Sequence, residues 1–395
     1  MDVRSSLVKL RRYVEDQDFQ GYDPYDALNS PVLRRLAFNR KYLRIAYIQA
    51  LKRSPLNVRR LLLIRKGRNP KAIGLFLWGY AKLYRAEARD EDLRKIDYLV
   101  DLLSSLRSEG YSGNCWGYDF DWQSRAFFVP RGVPTIVNSS FIGHALLDAH
   151  RYTGMGKALE LAVSIKDFIL KDLNRSREGG AICFSYTPVD HTAVHNANLL
   201  GASFLIRLFE HVQDSELRDT ALSSLAYSMK RQRPDGSWSY AETAFQGWVD
   251  SFHTGFNLQS MLYFIEGGFG EEYLPAFQRG VRFYAENFFL ADGTPKYYHD
   301  RLYPIDVHCS AQGAVFFSRM GSSYADLAER IVEWMIRNLQ DKKGYFYYQK
   351  TRNCTNRIPY MRWSQAWAFH ALTEYLLAWK GVAVGKKAED PQHLG

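Results

Sequence analysis

Six segments of the chain share one plan, and this repeat restricts the fold more than any other feature of the sequence. In each segment a polar tip rich in aromatic residues leads into a helix of small and apolar residues, which ends near a glycine or a polar turn. Successive segments start 65, 54, 60, 56 and 55 residues apart. Their first residues are Ala72, Val137, His191, Ser251, Val307 and Arg362. Repeated units of this kind bury their apolar surface by packing against one another.

A second set of helices alternates with the first and has one apolar and one charged face. Its apolar residues recur at i, i+3, i+4 and i+7, the pattern of a helix with one face in solvent. We predict these helices at residues 38–53, 91–108, 157–173, 214–232, 272–289 and 323–340. Helices that are small and apolar nearly all round are typical of an inner ring, and amphipathic helices of an outer one. The sequence therefore predicts an all-α fold, an (α/α)6 toroid of six inner and six outer helices.

Glycine-containing turns precede four of the inner helices. The segments GGAICFSYTPVD, DGSWSYAETAFQGWVD, DGTPKYYHDRLYPID and KGYFYYQKTRNCTNRIPYMRW alternate aromatic with polar residues, which predicts short hairpins or extended loops. Because each joins an outer helix to the next inner one, we expect all of them on one face of the toroid, and the function with them. The rival architectures are two separate helical domains and an α-solenoid, whose usual period is about 34 to 47 residues.

Length and composition agree with one large globular unit. The chain has 395 residues, of which 46% are hydrophobic and 15% aromatic, far from the composition of a disordered protein. We divide it into an N-terminal arm (1–35), the toroid (36–382) and a flexible C-terminal tail (383–395). Four cysteines without a CxxC pair exclude a disulfide scaffold and a zinc ribbon. No stretch approaches the roughly 18 apolar residues of a membrane span, and we predict a cytoplasmic protein without a signal peptide.

The positive charge is concentrated near the N-terminus. The net charge is +10, and residues 1–70 hold 16 basic and 6 acidic residues, so the rest of the chain is neutral. No acidic residue occurs between Asp26 and Glu87. A basic segment interleaved with apolar residues predicts peripheral contact with an anionic membrane surface or with a polysaccharide synthase, or a solvated helical face. Nucleic acid is not expected as a partner, since no helix-turn-helix, RNP or finger motif accompanies the charge.

The layout resembles the (α/α)6 carbohydrate-active superfamily, which comprises the six-hairpin glycosidases with related lyases and epimerases. The resemblance rests on the six-fold repeat, on the turn QRPDGSW at 232–238 and on tips dense in Trp, Tyr, His and Asp. The opening GYDPYDALNS at 21–30, with the helix starts HTAVHNANLLGA, VDSFHTGFNLQ and IDVHCSAQG, is similar to bacterial and archaeal proteins associated with exopolysaccharide biosynthesis. It implies a carbohydrate-active protein of polysaccharide biosynthesis or processing. Terpenoid-cyclase toroids have a similar turn, but the sequence lacks their DxDD motif.

Sugar-processing sites combine flat aromatic walls with a few groups that move protons. The tips of the inner helices supply both. The predicted catalytic residues are Asp250, Asp190, His253, His195, Glu242 and Asp306. The predicted substrate-binding residues are Tyr240, Trp248, His191, His308, Asp119, Asp121, Trp122, Tyr360, Arg362 and Trp363. Each aspartate just before a helix has an alternative role as an N-cap, which stabilises the helix by about 1 kcal/mol.

We predict that paired carboxylates hydrolyse a glycosidic bond, with Asp250 and Asp190 as the first pair. A separation of about 6.5 to 9.5 Å suits an inverting hydrolase, and about 5 to 5.5 Å a retaining one. The first alternative is a uronate lyase or C5-epimerase, in which His253 or Tyr240 removes the proton next to a carboxylate and Arg362 neutralises the enolate. The second is a non-catalytic glycan-binding component of a polysaccharide synthase.

Neither a cofactor nor a bound metal is predicted. His191 and His195 are four residues apart and share a helix face, which is a spacing that zinc sites use. The segment lacks the glutamate of the HExxH motif, so this spacing alone is weak support for a metal.

Overall fold

Helices dominate the computed structural model, which describes residues 2–379. The α-helices among these residues are α1 Val3–Asp16, α2 Pro31–Leu36, α3 Lys41–Arg53, α4 Pro70–Glu87, α5 Asp90–Ser105, α6 Ile136–Thr153, α7 Gly156–Asp167, α8 His195–Val212, α9 Ser215–Met229, α10 Ser251–Glu266, α11 Leu274–Phe288, α12 Val307–Ser318, α13 Ala325–Leu339 and α14 Trp367–Trp379. The strands are β1 Trp122–Gln123, β2 Phe128–Val129, β3 Arg175–Glu178, β4 Ala181–Phe184, β5 Ile305–Asp306, β6 Gln349–Lys350 and β7 Thr355–Asn356. The predicted tail at 383–395 lies outside the described residues.

The inner ring is closed. Helices α4, α6, α8, α10, α12 and α14 each pack against the next, and α14 packs against α4. All residues of α12 are buried, as expected for a helix enclosed on every side. Glycines let neighbouring inner helices approach each other closely. At Gly79, for example, a Cβ would lie 2.5 Å from the ring of Phe369. The predicted (α/α)6 toroid is therefore confirmed.

Five outer helices, α5, α7, α9, α11 and α13, cover the inner helices that precede them in the chain. The sixth outer position belongs to α1, which packs against α13 and α14. Its buried apolar residues Val3, Leu7, Leu10 and Val14 follow the spacing of one helical face. A side-chain pair strengthens this contact, since Ser6 Oγ donates to Gln340 Oε1 at 2.7 Å and Gln340 Nε2 donates to the Ser6 carbonyl at 3.0 Å.

The prediction of an outer helix at residues 38–53 was wrong in its position. The helix exists as α3, but it packs on β1 and on the turn Asp26–Asn29, above the inner ring. Ile48 and Leu51 are its buried residues, because basic side chains interrupt its apolar face and leave too narrow a stripe to cover an inner helix. Among residues 2–379 no helix is long and apolar enough to cross a membrane.

Short strands lie where the loops enter the inner helices. Strands β3 and β4 form an antiparallel hairpin, with Arg175 opposite Phe184. Its turn residues Gly179 and Gly180 both have positive φ, 53° and 82°, which glycine adopts without steric cost. Strands β5, β6 and β7 form a three-stranded antiparallel sheet, and β1 pairs with β2. These elements surround the N-terminal ends of the inner helices.

The opposite end of the ring is filled by a buried polar cluster. Arg207 is paired with Asp148, and Lys82 with Glu374. The indole of Trp78 donates to Asp148 Oδ2 at 2.5 Å. Although burial raises the pKa of Asp148, the cations Arg207 and Lys82 lower it to about 2. The cluster joins inner helices across the ring and fills its interior, so the cavity described below opens at the other end.

Candidate active site

The N-terminal ends of the inner helices surround a cavity of about 1070 Å³. Helices α4, α8, α10 and α12, together with the π-helix Met361–Ala366 before α14, contribute polar side chains to its lining, and α3 and β1 form part of its rim. The free N–H groups of helix N-termini give this end of the ring a partial positive charge. Six of the predicted substrate-binding residues line the cavity: Tyr240, Trp248, His308, Trp122, Arg362 and Trp363.

Aromatic side chains form the walls of the cavity. Tyr240 stacks on Trp248 with ring centroids 4.7 Å apart and an interplanar angle of 12°. On the other side Tyr25 lies 5.6 Å from Trp363 and 6.5 Å from Trp122. Flat rings at these positions can receive the apolar face of a pyranose.

Asp250 and His253 form a hydrogen-bonded pair at the start of α10. Asp250 is the N-cap of this helix and accepts from the His253 backbone N–H at 3.1 Å. Its Oδ2 lies 2.7 Å from His253 Nδ1 and also accepts from Trp248 Nε1 at 3.0 Å. A carboxylate in this position holds the Nδ1–H tautomer, and the Nε2 atom of His253 makes no hydrogen bond to the described residues. The pair therefore presents an imidazole with a free lone pair to the cavity.

His308 is a second imidazole in the cavity lining. It is buried between the ring of Phe252, 4.6 Å away, and that of Trp367, 4.4 Å away. Neither of its ring nitrogens has a hydrogen-bond partner among the described residues. Burial, and then the nearby cations Lys71 and Arg362, lower the pKa of His308 well below its usual value. The ring is therefore neutral near pH 7.

Two buried cations lie beside His308. Arg362 makes a two-pronged pair with Asp23, with distances of 2.6 Å from Nε to Oδ2 and 2.8 Å from Nη2 to Oδ1. Against the effect of burial, Asp23 raises the pKa of Arg362. Lys71, near the start of α4, is 3% exposed, and its Nζ lies 4.1 Å from the centroid of Phe141. Burial, and then Arg362, lower the pKa of Lys71 well below its usual value.

Sequence reasoning missed Lys71 and Asp23. Lys71 precedes the predicted start of the first inner helix, and a lysine beside an otherwise apolar helix was a visible signal. Asp23 belongs to the opening segment 21–30, where a family resemblance was noted without a role for its carboxylates. Asp26 of the same segment pairs with the buried Arg59 at 2.8 Å.

Four predicted residues near the third and fourth inner helices do not line the cavity. Asp190 accepts from the N–H of Thr187 at 2.6 Å and from the N–H of Thr192 at 2.8 Å, so it holds its own turn. His191 is exposed, and burial lowers the pKa of His195 to about 4. Glu242 is paired with Arg231 at 2.5 Å. The predicted carboxylate pair of Asp250 and Asp190 is therefore not brought together in the cavity.

Four further predicted residues lie behind the cavity wall. Asp306 caps α12 and accepts from Trp363 Nε1 and Gln349 Nε2, both at 3.0 Å, and burial raises its pKa to about 6. Asp119 accepts from Asn69 at 2.6 Å, and Asp121 accepts from the Arg131 N–H at 2.7 Å. Tyr360 packs under the guanidinium of Arg59. These side chains support the loops, and the described carboxylates that do line the cavity are Asp250 and the rim residue Asp300.

Among residues 2–379 no group of three His, Cys, Asp or Glu side chains has the geometry of a metal site. The cavity is lined by aromatic rings, by the imidazoles of His253, His299 and His308, and by the buried cations Lys71 and Arg362. A closed toroid of inner and outer helices with its loops and cavity at one end defines the architectural class of the (α/α)6 toroids.

Comparisons with known proteins agree at the level of fold. No protein-family model and no curated protein matches the sequence. The solved structure of a cellobiose 2-epimerase from Bacillus thermoamylovorans has a TM-score of 0.63 at 14% identity, over 80% of this chain and 89% of that one. An unsaturated glucuronyl hydrolase specific for heparin gives 0.59 at 14% identity over 95% of each chain. A GH76 α-mannanase from Bacteroides thetaiotaomicron gives 0.58 at 14% identity, over 79% and 86%. The chain shares the (α/α)6 toroid fold of these three structures.

Proposed function

We propose that the protein is a carbohydrate-active enzyme that removes a proton from a carbon next to a carbonyl or carboxyl group of a saccharide. Epimerisation and lyase chemistry both begin with this step. The observation that carries the proposal is the Asp250–His253 pair, which faces a cavity with aromatic walls and a buried arginine. The fold is shared with sugar epimerases, which supports a reaction of this class without identifying it.

In this mechanism His253 is the base and Asp250 positions it. The carboxylate of Asp250 accepts the Nδ1–H of the ring, so that Nε2 carries the lone pair that takes the proton. The electrons of the broken C–H bond pass to the oxygen of the carbonyl or carboxyl group. Arg362 supplies positive charge where that oxygen becomes negative. Tyr240, whose ring lies 4.6 Å from that of His253, is placed to return a proton, and burial raises its pKa so that the phenol stays protonated.

Hydrolysis by paired carboxylates, the reaction predicted first from the sequence, is the second candidate. Asp250 supports it because its carboxylate lines the cavity. The other described carboxylate in the lining, Asp300, is exposed at the rim and bound to Arg301 at 2.9 Å. An inverting or retaining hydrolase needs two carboxyl groups on opposite sides of one bond, and proton abstraction needs one base, which is why we favour the latter.

The test is solvent exchange. Purified protein is incubated with neutral and acidic oligosaccharides in D2O, and deuterium uptake, new ultraviolet absorbance and reducing ends are measured. We expect deuterium at a carbon next to the carbonyl or carboxyl group, and a loss of about 100-fold or more in His253→Asn. The matched control is His191→Asn, which changes an exposed histidine outside the cavity. New reducing ends without deuterium would identify a hydrolase, and glycan binding without either product would identify a binding protein.

We also propose that α2, α3 and the loop after them, residues 31–66, rest on an anionic membrane. Phe38, Tyr42 and Leu61 are 71%, 81% and 83% exposed, and the segment has no acidic residue. Apolar side chains among cations are attracted to anionic lipid. Because Lys52 of α3 lines the cavity, this contact would bring the mouth of the cavity close to the lipid surface. A cytoplasmic location and a role in polysaccharide production with a synthase stay predictions from the sequence.

Vesicle sedimentation tests the membrane contact. We expect binding to vesicles that contain phosphatidylglycerol and not to pure phosphatidylcholine, and a loss of binding in the double variant Phe38→Ser, Leu61→Ser. Val189→Ser, which changes a 59% exposed apolar residue elsewhere, serves as control. Equal binding of wild type and double variant would overturn the contact.

A further inference from the structure

Basic side chains meet at the floor of the cavity without a carboxylate between them. They are Lys71, Arg362, His253 and His308, and the charges of the other three all disfavour protonation of His308. The acids nearest to them are already engaged, because Asp23 holds Arg362 from behind and Asp250 holds His253. Buried like charges repel one another unless an anion lies between them.

Lys71 and His308 are the two members of this group without a protein partner. The Nζ atom of Lys71 makes no ion pair or hydrogen bond to the described residues, and it lies 4.1, 5.4 and 5.4 Å from the ring centroids of Phe141, Phe256 and Trp367. Both ring nitrogens of the buried His308 are unpartnered. Aromatic faces offset part of the cost of burying a cation, but they offer no acceptor to Nζ or donor to an imidazole. The side chains of Lys71 and His308 therefore have no polar partner among the described residues.

The other charged side chains of the cavity lining are mostly positive as well. In addition to Lys71 and Arg362, the cavity is lined by Lys52, Arg53, Arg125, Arg233 and Arg301. Its two carboxylates are bonded to His253 and Arg301. A cleft lined by one sign of charge concentrates ligands of the opposite sign.

We propose that the floor of the cavity is an anion subsite that binds the carboxylate of a uronic acid residue between Lys71 and His308, with Arg362 beside them. This inference rests on the proposed function and names its substrate class. With the carboxylate bound here, the proton that His253 removes is the one on C5. The C–H electrons form an enolate of that carboxyl group. Tyr240 then gives a proton to C5 and is reprotonated by the proton that His253 took, or the enolate expels the C4 substituent, whose oxygen takes that proton from His253 as it leaves. The balance needs no co-reactant.

Isothermal titration calorimetry with single sugars tests the subsite. We expect glucuronate to bind at least 10-fold more tightly than glucuronamide, its neutral isostere, and than glucose. Because the floor gains an anion, binding should take up protons, measured as a dependence of the enthalpy on the ionisation enthalpy of the buffer. Equal affinities for glucuronate and glucuronamide would overturn the proposal. Tighter binding of glucose 6-phosphate or glucose 6-sulfate than of glucuronate would also overturn it, as the anion would then be an ester.

Single substitutions show which side chain is responsible for the selectivity for glucuronate over glucuronamide. Lys71→Met should weaken glucuronate binding by about 10-fold or more and leave glucuronamide binding unchanged, since a single charge-assisted hydrogen bond is removed. The matched control is Lys157→Met, which removes an exposed cation outside the cavity that is already paired with Asp101. Unchanged selectivity in Lys71→Met would contradict the subsite. The comparison of ligands on the wild-type protein needs no variant to fold.

Failure of the subsite and failure of the proposed function give different results. Selective binding of glucuronate without deuterium exchange would leave the subsite and remove the proton-transfer reaction. Exchange into neutral sugars without preference for glucuronate would remove the subsite and leave the reaction. His253→Asn separates the two further, because it should abolish exchange while glucuronate still binds.

Discussion

Asp250 shows how one side chain has a structural and a chemical task at once. One carboxylate oxygen caps α10, and the other contacts His253 Nδ1 and Trp248 Nε1. A cap of this kind appears in the sequence as an aspartate before an apolar helix, as it does at Asp306. Which of these aspartates faces the cavity depends on the rotation of each helix within the ring, and the local sequence does not contain that information.

At the residue scale we predict that Asp250→Asn separates these two tasks. Asparagine is as good an N-cap as aspartate, so the free energy of unfolding should change by less than about 1 kcal/mol. The loss of the charge that orients the imidazole should lower kcat by about 10-fold to 100-fold, with little change in KM. Urea unfolding and steady-state kinetics measure the two effects. A large loss of stability with normal turnover would assign Asp250 to the helix alone.

His308 and Lys71 show that sequence patterns do not predict which residues from distant segments come together. His308 was a predicted binding residue because histidines recur at the helix starts, whereas Lys71 lies in the first segment, where no such recurrence directs attention to it. Their meeting joins α12 to α4 across the ring, a distance of more than 200 residues along the chain. Only the closed ring makes them neighbours.

At the element scale, the spacing of the repeats and the pattern of apolar and charged residues were sufficient to predict most helices of the toroid. The inner helices follow from runs of small apolar residues, and five outer helices from their amphipathic pattern. The sixth was assigned to 38–53 from the same amphipathic pattern, whereas the structure uses α1. Both segments are amphipathic, and the choice between them depends on which one reaches the gap between α13 and α14.

This assignment predicts that the buried face of α1 stabilises the whole toroid. Leu7→Ala and Leu10→Ala should each lower the free energy of unfolding by about 2 to 5 kcal/mol, because both side chains are buried in the core. Val8 lies on the outer face of the same helix and is 64% exposed. Val8→Ala should therefore change the free energy of unfolding by less than about 0.5 kcal/mol. Urea denaturation measures all three. Similar small effects at the three positions would mean that α1 is dispensable for the ring.

At the scale of the whole molecule, the two ends of the ring have different electrostatic organisation. On the floor of the cavity the side chains of Lys71 and His308 have no carboxylate partner, whereas in the opposite cluster Arg207 is paired with Asp148 and Lys82 with Glu374. A buried pair of this kind is costly to break, because one partner is left as an isolated charge. The paired end therefore holds the helices together, and the unpaired end is available for a ligand.

The pH dependence of stability should report the paired end. The pKa of Asp148 is about 2 in the folded protein and about 3.9 when unfolded, so its contribution is complete above about pH 4 and is lost as the pH falls toward 2. Asp148→Asn should lower the free energy of unfolding at pH 7 by about 3 to 5 kcal/mol and flatten this part of the profile. The control is Asp101→Asn, which changes an exposed pair with Lys157. Parallel profiles for wild type and Asp148→Asn below pH 4 would contradict the assignment.

The place of α1 in the ring has a consequence for biosynthesis. This helix leaves the ribosome before the rest of the toroid, but its hydrogen bonds from Ser6 reach Gln340, 334 residues further along the chain. Its apolar side chains thus have no native packing partners until α13 and α14 have been translated. During that interval the exposed apolar face of α1 can associate with other nascent chains. Nascent chains that stop before α13 should therefore need a chaperone to stay dispersed, whereas chains that include α14 should not.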